Sequence, residues 1–236
     1  MANSANSLDL YAKVEDLLGV KEASPTLYAH YLLFLSSIEF DTLLDVGCGS
    51  GDFLKQMHTA LKIDCIKGID LSPSMVAQTL AQGYDASCID VCDIVGRYNV
   101  ITAVFDMVNY LNKADLARFL SCVTAHLKEG GFFLFDINTL YGFENVAVGS
   151  YIVDDDERFL TVDSEFEEGE YLSEFTLFEK EGACFQKSQE TIRQYYHTVE
   201  EMVALSGLEL IVHDEVNLYA LEDADKYFIV LKKKSL

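Results

Sequence analysis

Leu43-Leu44-Asp45-Val46-Gly47-Cys48-Gly49-Ser50-Gly51 reads as a short buried strand that runs into a loop carrying three glycines. Glycine suits such a loop because it admits backbone angles closed to residues with a Cβ and lets the chain approach a ligand closely. The residues that follow, Asp52–Leu61, have helical periodicity. A ligand over this loop lies beside a helix N-terminus, at the carboxyl edge of a parallel sheet. Nineteen residues beyond Gly51, a second apolar run ends in Gly68-Ile69-Asp70. A carboxylate there can accept both hydrogen bonds from a ribose diol.

Working outward, short apolar runs recur at Leu43–Val46, Cys65–Ile69, Asp85–Ile89, Val100–Phe105 and Phe132–Ile137. Helical patterns at Asp52–Leu61, Ser74–Ala81 and Ala114–Leu127 lie between them. Strands alternating with helices imply crossover connections and a parallel sheet covered on both faces. Two amphipathic helices precede this core, over Leu8–Leu18 and Pro25–Ile38, the second with Ser24 as N-cap and Pro25 in its first turn. Gly130-Gly131 is read as the C-cap of the helix ending at Leu127. After Asn138 the period becomes two. Arg158–Phe166, Tyr171–Glu179 and Cys184–Tyr195 read as antiparallel strands, with turns at Gly169 and Gly182. A helix (Thr198–Ser206) and two strands (Leu208–Asp214, Lys226–Leu231) close the chain. The expected organisation is an α/β core with two N-terminal helices (residues 1–139), an inserted antiparallel β subdomain (140–195) and a return to the core (196–236).

Composition narrows the partners. With 17 basic and 39 acidic side chains the formal charge is −22. Nucleic acid needs clustered cations to displace counterions from phosphates, so it is not expected as a partner, and neither is an anionic membrane. The opening residues lack a basic start followed by an apolar stretch, and the expected location is cytoplasmic. The six cysteines show no Cys-x-x-Cys spacing and are read as reduced thiols, without disulfide or zinc. No His, Asp and Glu spacing suggests a metal site.

The glycine spacing separates two ligand classes. Dinucleotide sites favour Gly-x-Gly-x-x-Gly after an apolar strand. This chain has Asp-x-Gly-x-Gly-x-Gly instead, with Asp45 two residues ahead of the first glycine. Asp45-Val46-Gly47-Cys48-Gly49-Ser50-Gly51 resembles the first motif of the class I S-adenosylmethionine (SAM)-dependent methyltransferases. Gly68-Ile69-Asp70-Leu71-Ser72-Pro73-Ser74-Met75 resembles their second. Val104–Leu111 and Phe135–Thr139 are similar to stretches of a subgroup of small-molecule enzymes with strands inserted after the fifth strand. The resemblance implies a Rossmann-like, mostly parallel seven-stranded sheet whose last strand is antiparallel. It implies SAM as cofactor. Gly47, Gly49 and Gly51 would shape the loop beneath the methionine portion, and Asp45 would order that loop near the amino group. Asp70 would hold the ribose, with Leu71 and Met75 against the adenine. Asp90 would meet the adenine amine beside the Val91 backbone, with Asp93 as a rival. Phe105 and Asn109 would line the mouth of the site.

The expected activity is methyl transfer to a small-molecule oxygen or nitrogen nucleophile. A SAM-binding sensor or partner-dependent subunit is the alternative. No dedicated base is evident: Asp106, Tyr110 and Tyr141 are candidates by strand order, with turn capping and wall packing as their structural roles. The resemblance implies that Tyr11 and Tyr28, on the preceding helical segment, close over the site, with packing on the core as their structural role. The insertion carries twelve acidic residues between Tyr151 and Glu181. They read either as a solvated sheet face or as a lid that attracts a cationic amine acceptor. The oligomeric state, monomer or homodimer, is left open.

Overall fold

The computed structural model describes residues 9–235, so the expected start of the first helix at Leu8 lies outside the described residues. Helix α1 (Asp9–Val14) leads through a 3-10 turn (Glu15–Leu17) into α2 (Val20–Leu35). The expected N-cap at Ser24 is corrected: α2 begins five residues earlier, at Val20, behind Gly19 in a left-handed conformation. Ser24 instead donates its hydroxyl to the Val20 carbonyl at 2.7 Å, and Pro25 sits inside the helix. Proline removes one helical donor, but burial of Ala23, Leu27, Tyr28, Tyr31 and Leu35 keeps the segment helical across it.

The core then alternates as expected through β1 (Thr42–Val46), α3 (Asp52–Leu61), β2 (Cys65–Asp70), α4 (Pro73–Ala81), β3 (Asp85–Cys88), β4 (Tyr98–Ala103), α5 (Lys113–His126) and β5 (Leu127–Asn138). After the insertion, α6 (Val199–Ser206), β10 (Glu209–Val216) and β11 (Lys226–Lys232) complete a seven-stranded sheet of order β10-β11-β5-β4-β1-β2-β3. Neighbouring strands from β1 to β5 pair in parallel, and β11 runs antiparallel to both β5 and β10. Successive residues of the central strands feed opposite faces. Leu43, Val100, Leu134 and Phe228 pack in one core with α2 and α3. Leu44, Ile101, Phe133 and Ile229 pack in the other with α5 and α6. Strands buried on both sides therefore read as continuous apolar runs.

The Gly130-Gly131 reading is also corrected. Helix α5 ends at His126, and Leu127 already pairs with Tyr98 while Phe132 pairs with Val100, so β5 bulges through the glycines. A Cβ on Gly131 would lie 2.8 Å from the Asn99 carbonyl oxygen, which is why the bulge needs glycine.

Between β5 and α6 lies a second, four-stranded antiparallel sheet: β6 (Gly149–Asp154), β7 (Arg158–Glu167), β8 (Glu170–Glu181) and β9 (Cys184–Tyr195). Tight turns at 168–169 and 182–183 join the last three. Strand β6 and the π-helical turn Gly142–Ala147 had no clear sequence signal. One face of this sheet packs on α1: Leu10 and Val14 join Leu160, Val162, Phe175, Leu177 and Ile192 in a third core. Arg158 reinforces the contact with a two-pronged bond to Asp16 at 3.0 and 2.7 Å. Among the described residues no helix is long and apolar enough to cross a membrane.

Candidate functional site

The carboxyl ends of β1, β2 and β4 open into a cavity of about 420 Å³, roofed by α1, the 3-10 turn and α2. This volume lies within the range typical of small-molecule sites, roughly 300–1,000 Å³. Its walls include Asp45, Gly47, Gly49, Asp70, Leu71, Met75, Asp90, Val91 and Phe105. The roof contributes Tyr11, Glu15, Lys21 and Tyr28. Among the described residues, six carboxylates (Glu15, Asp45, Asp52, Asp70, Asp90, Asp115) face two cations, Lys21 and Arg118, so the cavity suits a cationic ligand.

The glycine loop is held on both sides. Gly47 and Gly51 have φ of 73° and 91°, a region that favours glycine. A Cβ on Gly47 would lie 2.7 Å from Cγ of Met107, and one on Gly51 would lie 2.9 Å from Cγ2 of Thr79. Gly51 therefore serves helix packing and does not itself line the cavity. Asp70 ties the loop to β2: Oδ2 accepts from Gly49 N at 2.9 Å, and Oδ1 accepts from Ser72 N at 2.8 Å. Ser72 in turn caps α4 by accepting from Met75 N.

Asp45 is 1% exposed, and Thr102 donates to its Oδ1 at 2.7 Å. Burial lifts its pKa to about 7; the Thr102 bond opposes that rise, and Asp70 adds to it. On the opposite rim, Asp90 accepts from Cys92 N at 2.8 Å and from Arg118 at 3.1 Å. Asp90 lines the cavity and Asp93 does not. Next to it the thiol expectation is corrected. Cys92 and Cys122 form a disulfide between the turn Val91–Asp93 and α5, whereas Cys48, Cys65, Cys88 and Cys184 are free. The partners are 30 residues apart and meet only because α5 docks on that turn, which spacing does not reveal.

The three catalytic candidates are dispersed. Tyr110 lines the cavity. Burial, and then Asp106, hold its phenol far above the usual pKa, so it is a hydrogen-bond donor and not a base. Asp106 does not line the cavity, nor does its side chain cap the following turn. Its carboxylate receives Lys226 Nζ and Gln194 Nε2, each at 2.5 Å. Tyr141 lies outside the cavity, just before the π-helical turn. Asn109 is also elsewhere: fully buried, it donates to the Tyr195 carbonyl and accepts from Asn138 N.

The acidic insertion contributes no residue to the cavity wall. It acts at one remove, by seating α1 and the turn that carry Tyr11 and Glu15. Leu10 N donates to Glu190, Lys13 pairs with Glu179, and Tyr151 donates to the Leu17 carbonyl. Tyr28 meets Phe53 and Phe105 edge-on, with ring centroids 5.2 and 5.7 Å apart. Glu15 escaped sequence reasoning because an acid in an amphipathic helix normally faces solvent. Here burial, and then Asp52, raise its pKa.

A buried ionic group lies beneath the wall. Lys226 is 2% exposed and contacts both Asp106 and Asp136. Burial opposes its charge, but the two carboxylates outweigh it and hold the amine protonated. Removing one partner of such a group typically costs about 3–5 kcal/mol, because the other is left uncompensated.

The loop, the cavity size and the excess of carboxylates fit a nucleoside-linked sulfonium such as SAM. Residues 43–131 match a family model described as a methyltransferase domain. No curated protein sequence matches the chain. A SAM-dependent methyltransferase from Clostridium acetobutylicum superposes with a TM-score of 0.78 at 22% identity, over 96% of this chain and 100% of that one. A SAM-bound amino pentose methyltransferase from Micromonospora echinaspora gives 0.68 at 21% identity, over 91% of each chain. A sugar N-methyltransferase from Streptoalloteichus gives 0.72 at 17%, over 96% and 92%. At these identities the likeness is one of fold, and it extends well beyond the matched domain.

Proposed function

We propose that this chain, a class I SAM-dependent methyltransferase, methylates a nucleophilic nitrogen of a small molecule. The observation that carries the amine is the position of Glu15, a carboxylate on the cavity roof beside Tyr11 and within the same cavity as Tyr110. Two relatives of similar fold are described as methylating an amino pentose and a sugar nitrogen, which is consistent with this reading. An oxygen acceptor is the second reading, because the two phenols are donors that would serve a hydroxyl equally well.

Bound SAM supplies a methyl group on a positively charged sulfur whose departure leaves a neutral thioether. What the chain adds is placement. Asp70 and the glycine loop hold the ligand at the sheet edge, while Tyr11, Tyr28 and Phe105 exclude water. Positioning of this kind can lower a barrier by roughly 7–11 kcal/mol. An ammonium must lose a proton before its nitrogen can attack, and the raised pKa of Glu15 makes its carboxylate a better base than one in water. Tyr11 and Tyr110 stay protonated and orient the acceptor.

The test is a panel of amines, amino sugars, phenols and carboxylic acids incubated with SAM, with S-adenosylhomocysteine quantified by mass spectrometry. An amine should turn over, and Glu15→Gln should lower its kcat/KM about 100-fold while changing SAM affinity less than threefold. Turnover confined to oxygen acceptors would replace the amine reading. Tight SAM binding without turnover of any acceptor would favour a sensor or partner-dependent subunit.

A further inference from the structure

Phe105 and Asp106 are consecutive non-glycine residues with φ of 57° and 48°. The left-handed region is disfavoured for residues with a Cβ, so two in succession persist only where the surroundings impose them. The imposing group is Asp136. It is fully buried, and its two oxygens take the two strained amides separately: Phe105 N at 2.7 Å on Oδ1 and Asp106 N at 2.8 Å on Oδ2. Each oxygen has one further donor, Tyr31 on Oδ1 at 2.8 Å and Lys226 on Oδ2 at 3.1 Å. With four donors the carboxylate is saturated, and it does not line the cavity. It is therefore unsuited to bind a ligand or move a proton.

We propose that Asp136 is a positioning residue for the cofactor site, acting through Phe105. The bent backbone turns Phe105 into the cavity wall, edge-on to Tyr28 of the roof. It also starts the 3-10 turn Met107–Tyr110, which presents Met107 to Gly47 and Tyr110 to the cavity. Tyr31 and Lys226 keep the carboxylate from rotating, so α2, β4, β5 and β11 all converge on the placement of one ring. A left-handed pair left unsupported relaxes toward ordinary angles and carries the ring away from the ligand.

The test is a double-mutant cycle read by calorimetric SAM titration, with thermal unfolding followed in parallel. Phe105→Ala and Asp136→Asn should each weaken SAM about tenfold. The double variant should bind no more weakly than Phe105→Ala alone, because Asp136 has nothing left to position. Should Asp136→Asn fail to fold, Tyr31→Phe removes one donor to the carboxylate at nearly constant volume. It should weaken SAM about threefold in the parent and not at all beside Phe105→Ala. A folded Asp136→Asn or Tyr31→Phe protein that binds SAM as the parent does would overturn the proposal. So would losses that multiply in the double variant, since a purely structural role acts independently of Phe105. Because SAM binding is the readout, the choice between amine and oxygen acceptors leaves the outcome untouched.

Discussion

The carboxylate of Asp70 reaches back across 21 residues to take the backbone N–H of Gly49 at 2.9 Å, joining the glycine loop to the end of β2. The residue proposed to grip the ribose thus also sets the shape of the loop beneath the rest of the ligand. Asp70→Ala removes both functions and should weaken SAM at least 100-fold, about 3 kcal/mol. Asp70→Asn retains one acceptor oxygen and should fall between. Calorimetric titration of both variants, with circular dichroism to verify folding, checks this. Parent-like affinity in the alanine variant would refute the assignment.

Asp45 makes stability depend on pH in a defined direction. Its folded pKa of about 7 stands above the ordinary aspartate value of 3.8. Above roughly pH 5 the unfolded chain has already released this proton, whereas the folded protein holds it until about pH 7. Stability from this group is therefore greatest at low pH and is lost as pH rises through 7. The ligand-free protein should show a Tm that falls between about pH 4 and 7 and levels off above that, and Asp45→Asn should flatten that slope. A ligand ammonium beside Asp45 would favour its charged form, so SAM binding near pH 6.5 should release protons. Titrations in buffers of different ionisation heat measure that release. Equal slopes in parent and variant would remove Asp45 as the cause.

The Cys92–Cys122 link closes a span of 30 residues between the rim turn and α5. The chain-entropy model gives such a link about 3–4 kcal/mol of stability. Thermal unfolding with and without dithiothreitol should differ by several degrees, and Cys92→Ser should match the reduced parent. Identical transitions in both buffers would show that the link contributes nothing.

Gly142 lies where the chain turns out of β5 toward the insertion, and a Cβ there would come within 2.3 Å of the Asp225 carbonyl oxygen. Backbone cannot swing aside as a flexible side chain can. Gly142→Ala should therefore destabilise the fold by about 2 kcal/mol or more, read by urea unfolding. An unchanged midpoint would mean that this region yields more easily than its packing implies.

The elements legible in the sequence are those built from local repetition. Strand–helix alternation from Leu43 to Asn138 and the hairpin turns at Gly169 and Gly182 both depend on neighbours in the chain. The glycine loop was legible because its spacing is a backbone requirement. What escaped depends on residues brought together across the fold. Lys226 and Asp136 are 90 residues apart, and Tyr31 and Asp136 are 105 apart. In sequence Asp136 is an acid in an apolar strand, and nothing local says which amides it will receive. Asn109 and Asp106 lie outside the cavity lining, and their side chains brace the wall from behind through partners more than 80 residues away in the chain. Glu15 was hidden because the insertion that presses its segment onto the cavity lies some 150 residues later in the chain.

The most direct test of SAM dependence is titration of the purified protein with SAM, S-adenosylhomocysteine and NAD in one calorimetric series. Micromolar binding of the two sulfur ligands, with no heat from NAD, is the predicted result. Binding of NAD alone, or of none of the three, would contradict the assignment of the Asp45–Gly51 loop and of every role derived from it.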